Sequence, residues 1–165
     1  MKVFAITNQK GGVGKTTTAV NLAACLAAEG RRALLVDLDP QGNATTGAGI
    51  AKREDLPTVY QLLIGAAALD EVRIPTDFGF DVVPATRELA GAEVELIGLD
   101  RREYRLKSAL QSSFGQYDFV LIDCPPALNM LTVNGLAAAD AVMIPMQCEY
   151  YALEGLTDLV ATLKK

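Results

Sequence analysis

The residues best suited to chemistry form a short run of glycines, lysines and threonines near the start of the chain, Gln9–Thr17 (QKGGVGKTT). In a tight glycine turn, successive backbone N–H groups can point inward and hold phosphate oxygens. A side chain at Gly11, Gly12 or Gly14 would block that approach or strain the turn. The run therefore predicts a phosphate-binding loop.

Two side chains complete the predicted loop. Lys15 can reach the β- and γ-phosphates of a nucleotide, and the Thr16 hydroxyl can bind Mg²⁺. The common phosphate-loop pattern has glycine at the position of Gln9, whereas here Lys10 precedes the first glycine, so the loop is a variant with two lysines. The alternative is a glycine-rich turn whose lysines are there by chance. The residues predicted to contact the nucleotide are Lys10, Gly11, Gly12, Val13, Gly14, Lys15, Thr16 and Thr17.

Carboxylates that could serve a metal ion follow two apolar segments that are predicted to be strands. Asp37 and Asp39 follow one segment, and Asp123 follows the other. Because the carboxyl ends of parallel strands meet at one edge of a sheet, we expect these side chains to lie near the loop. Asp123 suits a Walker B role, holding Mg²⁺ directly or through water. The alternatives are a turn or helix-cap role for Asp123 and a structural hydrogen-bonding role for Asp37 or Asp39.

The composition excludes several other kinds of site. The 165 residues include no histidine, which rules out a Ser-His-Asp or Cys-His mechanism. The three cysteines, Cys25, Cys124 and Cys148, are widely spaced, which argues against a zinc site or a disulfide framework. A net charge of −5 argues against a dedicated nucleic-acid binder, which is usually basic.

The elements that must position the loop and the carboxylates alternate along the chain. Apolar runs predict strands at Lys2–Thr7, Ala33–Val36, Phe80–Val83, Phe119–Ile122 and Ala141–Met146. Helical patterns fall at Thr16–Glu29, Thr58–Gly65, Thr86–Leu99, Arg102–Phe114, Leu128–Ala138 and Leu153–Leu163, and Asp37–Gly49 is predicted to be a loop. Alternating apolar strands and helices predict an α/β fold with a mostly parallel sheet and helices on both faces.

Four segments together resemble one family of ATPases. Lys10–Thr17 (KGGVGKTT) resembles the deviant Walker A motif of the ParA/MinD ATPases. Asp37–Thr45 (DLDPQGNAT) is similar to the first switch of the ParA/Soj branch, and Asp123–Pro126 (DCPP) is similar to its Walker B and second switch. Pro145–Gly155 (PMQCEYYALEG) resembles a further ParA/Soj segment. MinD and the nitrogenase iron protein match less well.

The resemblance implies a role for each candidate residue. Lys15 would bind the β- and γ-phosphates, and Thr16 would bind Mg²⁺ with Asp123 completing the metal shell. Lys10 would reach across a dimer interface to the partner's nucleotide, as an arginine finger supplied in trans does. Asp39 would position or activate the attacking water. The alternative for Lys10 is a solvated lysine beside a turn.

The resemblance also implies a biological role. It predicts a P-loop ATPase that depends on ATP and Mg²⁺, hydrolyses slowly with partner stimulation, and acts as a dimerisation switch in chromosome or plasmid partitioning. The implied partners are a second copy in an ATP-dependent homodimer, a ParB-like protein, and DNA bound without sequence preference. The implied location is the bacterial cytoplasm and nucleoid, with no membrane association.

Members of this family are typically several tens of residues longer than this chain. Residues 1–165 are therefore predicted to be a single P-loop ATPase domain truncated at its C-terminus, with the adenine contacts and the DNA-binding surface beyond Lys165.

Three other interpretations remain open at this point. A ParA-like ATPase could position another cargo, such as a chemoreceptor cluster or a secretion or cellulose-synthesis apparatus. A metabolic phosphoryl-transfer enzyme of related fold, like dethiobiotin synthetase, could share the phosphate loop. A scaffold could fold and pair without turnover.

Overall fold

A computed structural model describes residues 1–53 and 55–147, which contain a six-stranded sheet in the order β3-β4-β2-β5-β1-β6. The strands are β1 Lys2–Ile6, β2 Ala33–Asp37, β3 Ile74–Pro75, β4 Asp81–Val83, β5 Phe119–Asp123 and β6 Ala141–Met143. All neighbouring strands pair in parallel except β3, which is antiparallel to β4. The carboxyl ends of β1, β2 and β5 therefore lie side by side, which places the loop after β1 beside the carboxylates that follow the other two strands.

Helices cover both faces of the sheet, which confirms the predicted α/β class. They are α1 Lys15–Ala28, α2 Asn43–Gly47, α3 Val59–Ile64, α4 Leu69–Val72, α5 Leu89–Ile97, α6 Arg105–Leu110 and α7 Met130–Ala138. Strand β2 is buried throughout, and its side chains alternate between two apolar clusters. Leu35 packs in the cluster with α1, whereas Leu34 and Val36 pack in the cluster that contains α3, α5, α6 and α7. None of the helices described is long and apolar enough to cross a bilayer.

The structure corrects several predicted boundaries. The predicted loop Asp37–Gly49 contains the short helix α2, and the helix predicted at Thr86–Leu99 begins only at Leu89. Strand β6 ends at Met143 instead of Met146, and α4 and β3 were not predicted. The helix predicted at Leu153–Leu163 lies outside the described residues.

The helix predicted at Arg102–Phe114 is broken, and one buried side chain explains the break. Only α6 is α-helical, between 3₁₀ turns at residues 102–104 and 111–113. The Asn134 amide lies where the helical bond from Leu106 N–H to the Arg102 carbonyl would be. Its Oδ1 accepts from Leu106 N at 3.1 Å, and its Nδ2 donates to Arg102 O at 2.8 Å. A side chain inserted into the hydrogen-bond ladder interrupts a helix in this way.

We expect Asn134→Ala to lower the free energy of unfolding by about 2–4 kcal/mol, because it leaves the buried Leu106 N–H and the Arg102 carbonyl without partners. Asn134 is fully buried, and its amide also donates to Met130 O at 3.0 Å. Urea unfolding followed by circular dichroism measures the change. Asn21→Ala is the matched control, because Asn21 makes its α1 hydrogen bond in an exposed position. Equal effects of the two substitutions would contradict a structural role for Asn134.

Candidate nucleotide-binding site

The glycine loop joins β1 to α1 and opens onto a cavity. Gly12 and Gly14 have left-handed φ angles of 72° and 92°, which side chains rarely adopt. A Cβ atom added at Gly11, Gly12 or Gly14 would meet nothing within 4 Å, so the space beside each of these glycines is open. This space belongs to a cavity of about 530 Å³ at the carboxyl edge of the sheet. Gly14 also caps the N-terminus of α1, an end that favours anions.

A hydrogen bond links Lys15 to Lys10 within the loop. The Lys15 side chain is buried, and its Nζ donates to the Lys10 carbonyl oxygen at 3.1 Å. Lys10 itself is exposed, and its backbone N–H donates to Asn8 Oδ1 at 3.0 Å. The two lysines of the variant loop therefore lie together, one buried beneath the loop and one at its surface.

Behind the loop, Thr16 contacts Asp123 at the end of β5. The Thr16 hydroxyl donates to Asp123 Oδ2 at 2.7 Å. Asp123 is almost fully buried, and within the described part of the chain its Oδ1 has no hydrogen-bond partner. Burial raises the pKa of the Asp123 carboxyl to about 7, although the bond from Thr16 acts in the opposite direction. A buried carboxylate oxygen without a donor is suited to a cation or to water held by one.

Asp37 organises the segment that follows β2. Its carboxylate is fully buried and accepts three hydrogen bonds, from the Asp39 N–H at 3.1 Å and from the Thr45 N–H and hydroxyl at 2.8 Å each. The Thr45 hydroxyl oxygen in turn accepts from the Ala85 N–H at 2.9 Å. The structural role left open for Asp37 in the sequence is therefore the one it has in the fold. Burial raises its pKa to about 6, against the effect of the Thr45 and Asp39 bonds.

The raised pKa of Asp37 predicts a pH-dependent stability. The pKa of the Asp37 carboxyl is 3.8 in the unfolded chain and about 6 in the fold. Between these two pH values the native state therefore binds more protons than the unfolded state. The free energy of unfolding should then fall as pH rises from about 4 to about 6, by about 3 kcal/mol from this group. Urea unfolding across this range gives the slope. The raised pKa of Asp123 adds a slope of the same sign in this range. Asp37→Asn should therefore reduce the slope without abolishing it, and an unchanged slope would contradict the assignment.

Asp39 lies where it can face the cavity. It is half-buried, it lines the cavity, and its Oδ1 accepts from the Gln41 N–H at 2.9 Å. The predicted residues that line the cavity are Gly11, Gly12, Gly14, Lys15, Thr16, Thr17 and Asp39. Val13 is buried, and Asp123 lies beneath Thr16, so neither forms the cavity wall.

Three lining residues were not among the predicted site residues. They are Gln41, Asn43 and Pro126. Their signal was present in the sequence, because Gln41 and Asn43 belong to Asp37–Thr45 and Pro126 ends the Asp123–Pro126 motif. No cluster of three or more histidine, cysteine or acidic residues fit for a metal occurs in residues 1–53 and 55–147, so a metal here would need the Thr16 hydroxyl or phosphate oxygens.

A glycine loop between the first strand and the first helix, at the carboxyl edge of a mostly parallel sheet, defines a P-loop nucleotide-binding protein. The comparisons with known proteins agree. The chain belongs to a family of AAA domains, whose model matches residues 1–165. The resemblance to the ParA/Soj branch is confirmed by its relatives.

Two of these relatives are partition or sporulation proteins. The chain is 57% identical over 164 residues to the sporulation initiation inhibitor protein Soj of Bacillus subtilis, covering 99% of this chain and 65% of that protein. It is 55% identical over 163 residues to the chromosome partitioning protein ParA of Myxococcus xanthus, covering 98% of this chain and 58% of that protein. The chain thus spans less than two thirds of the length of these relatives.

A solved structure shares the fold closely. It is the cobyrinic acid a,c-diamide synthase from Mycobacterium smegmatis with bound ADP and magnesium, which matches with a TM-score of 0.96 and 44% sequence identity. The match covers 99% of this chain and 67% of that one.

Proposed function

We propose that this chain binds ATP with Mg²⁺ and hydrolyses it as a dimerisation switch in chromosome or plasmid partitioning. The observation that carries the proposal is the 2.7 Å contact between Thr16 and Asp123 behind an open glycine loop. The name of the ParA relative, a chromosome partitioning protein, supports the partitioning role, and the solved structure with ADP and magnesium supports the ligands.

The loop residues would receive the phosphates. Backbone N–H groups of Gly11–Thr17 and the N-terminus of α1 would face the phosphate oxygens in the open space of the loop. Lys15 would exchange its bond to the Lys10 carbonyl for the β- and γ-phosphates, trading a neutral acceptor for a charged one.

The residues around Thr16 fit a magnesium ion. Mg²⁺ prefers oxygen ligands and keeps several waters. The Thr16 hydroxyl would bind the ion while still donating to Asp123, and the unpartnered Oδ1 of Asp123 would accept from a bound water or contact the ion. When bound, Mg²⁺ would neutralise charge on the phosphate oxygens.

Hydrolysis would depend on Asp39 and Lys10. Asp39 lines the cavity and begins an anchored turn, and its carboxylate would orient an attacking water. Lys10 is at the surface of the loop, where a second copy could receive it beside its own nucleotide. The positive charge of Lys10 would reach the nucleotide of the second copy only when the two copies pair. ATP turnover would therefore be coupled to dimerisation. A ParB-like partner, non-specific DNA binding and a nucleoid location are further parts of this proposal.

A second candidate is an ATP-dependent synthase. The solved structure that is 44% identical to this chain is named as a cobyrinic acid a,c-diamide synthase, a metabolic enzyme. Such an enzyme would use the same phosphate loop, but it would need a small co-substrate for turnover and would not need nucleotide-dependent pairing.

A ParA-like ATPase that positions another cargo would use the same switch chemistry. It would differ from the partitioning ATPase only in its partner.

The test is the sedimentation mass of the chain with Mg²⁺ and ATP, with Mg²⁺ and ADP, and without nucleotide. We expect a dimer only in the sample with Mg²⁺ and ATP, and we expect Lys10→Ala to abolish it. Lys2→Ala is the control, because Lys2 is an exposed lysine at the start of β1, and it should retain the dimer. A dimer that persists in Lys10→Ala would contradict the trans role of Lys10. A monomer in every state would contradict the switch for this chain, and ATP binding in the same samples then reports on the nucleotide site alone.

A further inference from the structure

Asn8 lies between β1 and the glycine loop, and both polar atoms of its side-chain amide form hydrogen bonds. It is 8% exposed. Its Oδ1 accepts from the Lys10 N–H at 3.0 Å, and its Nδ2 donates to the Pro145 carbonyl at 2.9 Å, across 137 residues of sequence. Asn8 therefore connects the loop to the segment that follows β6.

The end of β6 and the segment that follows it make two further contacts with the end of β1 and the glycine loop. The Thr7 N–H donates to the Met143 carbonyl at 3.1 Å, which extends the pairing of β1 with β6. The Gln147 amide donates to the Gly12 carbonyl at 3.4 Å. These contacts lie on both sides of Pro145 in the sequence, and the Pro145 carbonyl between them accepts the bond from the Asn8 amide.

The backbone of Lys10 is held on both sides. Its N–H is bonded to Asn8, and its carbonyl oxygen accepts from Lys15 Nζ at 3.1 Å. In the proposed function, Lys15 leaves this carbonyl for the phosphates. The phosphate donors proposed above are the N–H groups of Gly11–Thr17, so the bond from Lys10 N–H to Asn8 would persist when a nucleotide binds.

We propose that Asn8 is a positioning residue for Lys10, fixing the backbone from which the Lys10 side chain reaches the partner's nucleotide. Anchored to Pro145, Asn8 orients Lys10 after Lys15 has moved to the phosphates. This inference rests on the proposed function, because it assigns Asn8 to the trans action of Lys10.

The chemistry of asparagine suits this role. Its amide offers an acceptor for Lys10 N–H and a donor for the Pro145 carbonyl at once. A serine hydroxyl at this position could still accept from the N–H two residues on, as in an ST-turn, but it is too short to span to Pro145. Asn8→Ser therefore keeps the contact with Lys10, whereas Asn8→Ala removes both contacts.

The test measures hydrogen exchange at the Lys10 amide by NMR, without nucleotide and with Mg²⁺ and a non-hydrolysable ATP analogue. We expect slow exchange in both states, about tenfold faster exchange in Asn8→Ala, and an intermediate rate in Asn8→Ser, which keeps the contact with Lys10 but loses the anchor at Pro145. Asn21→Ala, an exposed change on α1, is the control for unrelated loss of stability. Unchanged exchange at Lys10 in Asn8→Ala would overturn the inference.

A double-mutant cycle on ATP turnover tests the connection to Lys10. We expect Asn8→Ala to lower turnover about tenfold with ATP affinity unchanged, and to cause no further loss in the Lys10→Ala background. Independent, multiplying losses would overturn the positioning role. If Lys10→Ala alone leaves turnover unchanged, the proposed trans lysine fails, an outcome distinct from failure at Asn8.

Discussion

Replacing Lys15 by alanine should weaken ATP binding about 10²–10³-fold, which corresponds to about 3–4 kcal/mol. Lys15 is the buried cation beneath the glycine loop, 7% exposed, and it is held 3.1 Å from the Lys10 carbonyl. Charge-assisted bonds to phosphate are roughly twice as strong as neutral ones, and alanine offers neither donor nor charge. Isothermal titration of the chain with ATP and Mg²⁺ measures the change.

The controls separate loss of binding from loss of folding. Lys15→Met keeps an unbranched apolar chain in the buried space that the lysine stem fills, so we expect a stable fold with the same loss of affinity. Lys107→Ala removes an exposed lysine from α6 and should leave ATP binding unchanged. Lys15→Met with wild-type affinity would contradict a phosphate-binding role.

The central strands and the glycine loop could be predicted because their signals are local. Strand β2 is an unbroken apolar run ending in Asp37, and left-handed backbone at Gly12 and Gly14 needs glycine. The structure places the carboxyl end of β2 and the glycine loop at the same edge of the sheet, as the α/β pattern predicted.

The elements that were wrong or missed depend on distant contacts. The N-cap of helix α2 is a glycine, which has no side chain to form a capping hydrogen bond. The Thr45 N–H in the first turn donates instead to the Asp37 carboxylate, which lies outside the helix. The predicted helix Arg102–Phe114 is interrupted by Asn134, which lies about thirty residues away in sequence. Neither contact can be inferred from the helical pattern of the segment itself. Strand β3 has two residues, too few for a periodic signal.

The candidate site divides in the same way. The loop residues and the three aspartates were predicted from their types and positions, and the resemblance implied separate roles for Asp39 and Asp123, but the role of Asp37 was left open. Three donors and complete burial give Asp37 a structural role, whereas Asp39 faces the cavity and Asp123 faces Thr16. These differences arise from the packing around each carboxylate, because the two strands that lead to these aspartates are similarly apolar.

Asp39→Ala should lower ATP turnover about 10²–10³-fold and leave ATP affinity within about twofold, because a positioned carboxylate that orients or activates water contributes to the hydrolysis step. Asp39 lines the cavity, and its turn is closed by the Gln41 N–H at 2.9 Å and by the bond from Gly42 N–H to the Asp39 carbonyl at 2.8 Å. Phosphate release under single-turnover conditions measures the chemical step, and equilibrium titration measures affinity.

Asp39→Asn is the sharper comparison, because it keeps an oxygen that can accept from the Gln41 N–H but removes the negative charge. We expect turnover to fall nearly as far as in Asp39→Ala, with the Mg²⁺–ATP dimer persisting longer in both variants because hydrolysis no longer resets it. Asp77→Asn changes the charge equally at a site remote from the cavity lining and should leave turnover unaltered. If Asp39→Asn turns over at the wild-type rate while Asp39→Ala does not, Asp39 acts by holding the turn, and its role toward water is disproved.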